Sequence, residues 1–188
     1  MVFPERFSNL PVATWPRLRA LLDVPTQADE TINMTIGEPR HAFPAFVGDV
    51  LAANEGSFAK YPNNDGTPEH LDAIAGFLKR RYDLDMQHAN LLTLNGTREG
   101  LYNAAMALCP ETMGGKPPVM LIPNPFYQVY MVAALSIGAE PVFVPATAES
   151  GFLPDYTALP SEVLERTAIA YLCSPSNPQG AVASRAYW

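Results

Sequence analysis

Residues 119–144 read as a short, wholly apolar strand at 119–122, an apolar helix at 126–137 and a second short strand at 141–144. No other feature limits the fold as strongly. A strand with no polar alternation must be covered on both faces. A helix between two such strands makes a parallel crossover the natural connection. A further apolar run at 168–172 and a strand candidate at 90–94 extend the pattern. These segments predict an α/β fold with a parallel sheet between helical layers.

The helices announce themselves by caps and spacing. Thr67-Pro68 supplies an N-cap and a first helical residue, and Leu71, Ile74, Ala75, Leu78 and Tyr82 then mark one face. After Asn95-Gly96-Thr97, a second helix turns Leu101, Ala104, Ala105 and Leu108 inward. Thr14 caps a short helix through residue 22, residues 44–54 carry helical spacing, and residues 31–36 read as extended. Residues 1–30 read as an arm.

With 188 residues, 48% hydrophobic and 16% charged, the chain has the composition of one globular domain. Its net charge of -7 argues against binding a nucleic-acid backbone, and its one basic cluster, Lys79-Arg80-Arg81, suits a helix C-terminus. Cys109 and Cys173 are too far apart for a disulfide framework or a zinc motif. The three histidines cluster with no acidic or cysteine partners, so no metal site is expected. No run is long enough to span a membrane and no signal sequence opens the chain, so a cytoplasmic protein without membrane contact is expected. Gly-x-Gly-x-x-Gly, the P-loop and the Gly-x-Ser-x-Gly elbow do not occur.

Four segments carry candidate chemistry. Gly96-Thr97-Arg98 starts a helix just past a strand candidate, where free N–H groups and the helix dipole suit a phosphate. Pro123-Asn124-Pro125-Phe126-Tyr127-Gln128-Val129-Tyr130 follows a strand, and its rings could stack on a flat heteroaromatic ligand. Asn177 lies in Cys173-Ser174-Pro175-Ser176-Asn177-Pro178-Gln179-Gly180, where two prolines restrain the backbone and the amide could donate to a phenolate oxygen. Gly37 permits close backbone approach, and Tyr61 offers a hydroxyl before the turn at Gly66. Taken singly, each also has a plain structural reading as cap, helix start, turn or loop.

Taken in order, Gly37, Tyr61, Gly96-Thr97, Tyr127 and Asn177 resemble the class I and II aminotransferases of fold type I, which use pyridoxal 5'-phosphate (PLP). The resemblance covers nearly the whole chain. It implies a three-layer α/β/α large domain like that of aspartate aminotransferase, incomplete here, with an N-terminal arm. Residues 1–40 would be the arm and the start of the substrate segment, and residues 41–188 the first part of the large domain. It implies that Gly96, Thr97 and Arg98 hold the cofactor phosphate through backbone N–H groups and the Thr hydroxyl. Tyr127 would stack on the pyridine ring and Asn177 would bond its 3'-oxygen. Tyr61 would reach the phosphate in the neighbouring subunit of a homodimer, and Gly37 would lie against the substrate carboxylate. The implied reaction moves an amino group between an amino acid and a 2-oxo acid. The segments at 95–100, 124–130, 151–155 and 173–175 look like those of bacterial succinyldiaminopimelate aminotransferases of lysine biosynthesis.

Two departures are Gln179 for the usual Thr and Ser176 for a common Asn or Gly. The only lysines are Lys60, Lys79 and Lys116. None stands where the resemblance would put the Schiff-base lysine, so no catalytic residue is assigned and the chain is expected to be inactive alone. The family sheet runs in the order 3-2-4-5-6-7-1, and this chain would supply strands 1 to 4, with strand 1 separated from its neighbours. The alternatives are another fold-type I PLP enzyme, such as a lyase or synthase, or a non-catalytic fragment.

Overall fold

Strand β1 (Val119–Asn124) is the centre of a three-stranded parallel sheet in the order β2-β1-β3, with β2 spanning Glu140–Pro145 and β3 Thr167–Ala170. The structure is a computed structural model that describes residues 14–23 and 36–188 together with Glu5, Ile32 and Met34. β1 pairs with β2 in unbroken register from Val119↔Glu140 to Asn124↔Pro145. Its pairing with β3 shifts between Val119 and Met120, so that Val119 faces Thr167 and Met120 faces Ile169. With β1, β2 and β3 in the places of family strands 2, 3 and 4, this is the expected 3-2-4 order.

The expected helices are α1 (Thr14–Leu22), α2 (Phe46–Ala53), α3 (Pro68–Tyr82), α4 (Thr97–Leu108) and α5 (Gln128–Ser136). Thr67 caps α3 as predicted, its side chain accepting from His70 N–H at 3.3 Å. A short α6 (Ser161–Glu165), which the sequence reading missed, precedes β3. The extended reading of 31–36 falls largely on residues outside those described. The chain forms two compact units, 13–93 and 94–188, and the sheet belongs to the second.

Period-two alternation on β1 decides the layering. Met120 and Ile122 point into a core with Ala105 of α4, Val129, Tyr130, Ala133 and Ala134 of α5, and Tyr171. Val119 and Leu121 point the other way, into a smaller core with Val144, Tyr156, Leu159 and Val163. Connectivity explains the two faces. The path β1–α5–β2 moves outward across the sheet, and β2–α6–β3 moves back past β1. Right-handed crossovers running in opposite directions place their helices on opposite faces. The three layers follow.

Residues 91–94 correct one expectation. A 3-10 turn spans His88–Asn90 and no ladder follows it, while Leu92 and Leu94 stay exposed. Apolar spacing proposes a strand, but only a neighbouring strand makes one, and none pairs with this segment among the described residues.

At the amino edge of the sheet, Arg166 holds the strand starts together. One Nη donates to Pro117 O and the other to Glu140 Oε2, both at 2.8 Å. This guanidinium is largely buried, so the pair is better shielded than the exposed Lys79–Asp83 and Lys116–Glu162 pairs, whose worth is small.

Candidate functional site at the carboxyl edge of the sheet

The segments that follow β1 and β3 both border the carboxyl edge of the sheet, the edge at which open α/β sheets bind ligands. A cavity of about 290 Å³ opens there. It is lined by Thr97 and Leu101 of α4, by Pro123, Phe126 and Tyr127 after the apolar part of β1, by Tyr130 of α5, and by Cys173 and Asn177 beyond β3. A larger cavity, of about 620 Å³, lies on the opposite face beside Tyr156, Tyr187 and Trp188. Its wall is mainly apolar. The smaller cavity has a helix N-terminus, an aromatic ring and an amide converging on it, so we place the candidate site there.

α4 begins at Gly96, whose φ of 106° and ψ of 154° suit glycine alone. Gly100 N–H reaches back to Gly96 O at 3.4 Å. The N–H groups of Thr97, Arg98 and Glu99 therefore lie in the first turn, beyond the reach of any helix carbonyl. Glu99 folds back so that its carboxylate accepts from Asn95 N–H at 2.9 Å, which stiffens the entry to the helix.

The aromatic wall is a connected series. Asn124–Pro125 is a cis peptide, and Tyr127 becomes the N-cap residue of α5. Helix α5 thus starts two residues later than the apolar pattern suggests, leaving Phe126 and Tyr127 in the loop. Arg98 Nε donates to Tyr127 Oη at 2.5 Å. Tyr127 meets Tyr130 edge-on at 5.8 Å, and Tyr130 stacks on Tyr171 at 4.2 Å. Tyr171 Oη donates to Leu101 O at 2.8 Å. Burial pushes the phenols of Tyr130 and Tyr171 up, so both stay neutral across the physiological range.

The turn carrying Asn177 is held by serines as well as by prolines. Ser176 N–H donates to Ala181 O and Gly180 N–H to Ser176 O, at 2.8 and 2.7 Å. Ser176 Oγ accepts from Ala181 N–H and Ser174 Oγ from Ala183 N–H, both at 3.0 Å. The Ser174–Pro175 and Asn177–Pro178 bonds are cis. The Asn177 side chain makes no hydrogen bond among the described residues, which leaves its donors available at the cavity.

The structure thus brings Thr97, Tyr127 and Asn177 to one cavity, whereas Gly96 and Arg98, on either side of Thr97 in the chain, are not among the residues that line it. Gly37 and Tyr61 belong to the other unit, where both are exposed. The two serine clamps escaped the sequence reading, and Tyr130, although within the aromatic segment, is assigned no role of its own there. Tyr130 lies three residues after Tyr127, on the same helical side, and that spacing was the available signal. None of the lysines lines the cavity. Lys79 pairs with Asp83 and Asp85, and Lys116 with Glu162. Among the described residues no group of three or more His, Cys, Asp or Glu could hold a metal, and no helix is long and apolar enough to cross a membrane.

The family described as aminotransferase class I and II matches residues 29–188. The chain belongs to this family. It is 33% identical over 183 residues to the LL-diaminopimelate aminotransferase of Moorella thermoacetica, covering 95% of this chain and 46% of that one. A crystal structure of an aminotransferase from Neisseria meningitidis superposes with a TM-score of 0.88 at 34% identity, covering 98% of this chain and 47% of that one. The aminotransferase AspB from Helicobacter pylori superposes with a TM-score of 0.83 at 32% identity, covering 94% and 46%. The chain therefore spans about half the length of the relatives it matches. The family is PLP-dependent, and the expected partial α/β transferase fold is the fold observed.

Proposed function

We propose that this chain forms the cofactor-holding part of an enzyme that moves an amino group between an amino acid and a 2-oxo acid. The observation that carries the reading is the meeting of Thr97, Tyr127 and Asn177, from three separate segments, at one cavity. Their donor chemistry fits PLP. First-turn N–H groups of α4 and the Thr97 hydroxyl suit a dianionic phosphate. The Tyr127 ring suits a flat pyridine, and the Asn177 amide suits the phenolate oxygen beside it.

When bound, PLP supplies an electron sink for bond breaking at the substrate α-carbon. The protein's part is positional. The Pro125 and Pro178 loops and the Ser174 and Ser176 clamps hold the donors before any ligand arrives, which lowers the ordering cost of binding. Buried Tyr130 and Tyr171 exclude water from beneath Tyr127. Gly37 is proposed to meet the substrate carboxylate, and exposed Tyr61 to serve the phosphate site of a second copy in a homodimer. The substrate we propose is a diaminopimelate-type amino acid. The similarity to LL-diaminopimelate aminotransferases favours the free LL-diaminopimelate, whereas the motif likeness favours the succinylated form.

The test is titration of the protein with PLP, followed by quenching of tyrosine and tryptophan fluorescence. Saturable binding competed by inorganic phosphate, and weakened by Asn177→Ala and Thr97→Val, is expected. Binding that ignores both substitutions would sink the site assignment. For the reaction, amino-group exchange with 2-oxoglutarate is compared for free and succinylated diaminopimelate in a protein that carries this chain. Elimination products without exchange would favour a lyase.

A further inference from the structure

Arg98 is the second residue of α4, beside the free N–H groups, where an arginine would ordinarily reach for an anion. Its side chain goes elsewhere. Nε donates to Tyr127 Oη, and the guanidinium carbon lies 5.5 Å from the centre of the same ring. From Tyr127 the contacts run through Tyr130 and Tyr171 and return to α4 at Leu101 O, one turn further along the helix. They form a closed circuit joining the start of α4, the start of α5 and the end of β3.

We propose that Arg98 is a positioning residue whose side chain sets the Tyr127 ring as the aromatic wall of the cavity and does not act as a phosphate ligand. The proposal rests on the reading of this cavity as a PLP site. Tyr127 is half-buried and precedes the first turn of α5, so packing alone leaves its outer end free to move. A planar guanidinium can donate to the hydroxyl and still lie near the ring, which a lysine ammonium does less well. Using Nε leaves the outer nitrogens in solvent, so the cost of holding the ring is small. The ligand then meets a wall already in place.

The experiment compares PLP with pyridoxal, which has the ring but no phosphate. Dissociation constants are measured by fluorescence quenching for the parent, Arg98→Met, Tyr127→Phe and the double variant. Arg98 lies within the physiological screening length of about 8 Å of the first turn of α4, so the titrations are run at about 1 M salt, where that length falls to about 3 Å. Arg98→Met is expected to weaken both ligands by the same factor, about two- to fivefold. Its effect is expected to shrink but not vanish once Tyr127 has lost its hydroxyl, because the guanidinium still lies over the ring. A loss confined to PLP would place the guanidinium on the phosphate and overturn the proposal. So would an undiminished loss in the Tyr127→Phe background. Should Arg98→Met fail to fold, Arg98→Gln takes its place. If the parent binds neither ligand, the site reading fails and the positioning claim is judged separately, by NMR of labelled tyrosine rings. Arg98→Met must then shift or broaden the Tyr127 signal, and an unchanged signal refutes it.

Discussion

Replacing Gly96 with alanine isolates the backbone geometry that starts α4. At φ 106° and ψ 154° the residue lies in a region that a side chain enters at a cost of roughly 1–3 kcal/mol. A Cβ there would meet nothing within 4 Å, so no clash adds to the backbone term. Alanine also restricts the unfolded chain, which offsets about 0.4–1 kcal/mol. The difference spans about 0–2.6 kcal/mol, and a conformation that is almost exclusive to glycine puts this residue in the upper half, about 1.3–2.6 kcal/mol, enough to lower the melting temperature by about 3–10 °C in a chain of this size. Gly100→Ala is the control. Gly100 sits inside α4, where alanine is favoured by about 1 kcal/mol. Its Cβ would come within 2.3 Å of Leu94 Cδ1, the tip of an exposed side chain that can swing away. Circular dichroism during thermal and urea unfolding reads both variants. Gly96→Ala should be clearly destabilised and Gly100→Ala should stay within about 1 kcal/mol of the parent. If the two behave alike, the argument from backbone geometry is wrong.

Three further outcomes are expected. Burial raises the phenols of Tyr130, Tyr156, Tyr171 and Tyr187, so the fold favours their neutral forms. That stabilisation is complete below about pH 10, the unfolded tyrosine value, and is lost as pH climbs from there toward the raised folded values. Phenolate absorbance and circular dichroism should therefore change together, and four phenols titrating near pH 10 in a folded protein would contradict this. Tyr171→Phe keeps the stack on Tyr130 but removes the donor to Leu101 O, at a cost of about 1 kcal/mol in urea unfolding. Ser176→Ala removes the Oγ acceptor for Ala181 N–H and should loosen the Asn177 turn, costing about 1 kcal/mol and weakening PLP binding; unchanged affinity would show that the prolines suffice.

Much of this molecule is local and was legible along the chain. The Thr67 cap, the glycine before Thr97 and the apolar run of β1 each act within a few residues through dihedral limits, capping and burial periodicity. The same reach made Gly96, Thr97, Tyr127 and Asn177 visible as candidates, because each lies in a turn with its own signature. It also explains why residues 91–94 misled: their apolar spacing is real, but a strand needs a partner that lies outside the segment.

Tertiary structure decided the rest. Placing β3 beside β1, with α6 on the face opposite α5, follows from crossover handedness acting over tens of residues. Bringing Asn177 to Thr97 depends on that strand order. The partner of Arg98 lies 29 residues away and could not be read from its neighbours. Sequence determined which residues could turn, cap and bury themselves; the sheet determined which of them meet, because contacts between distant segments form only when the whole layer packs.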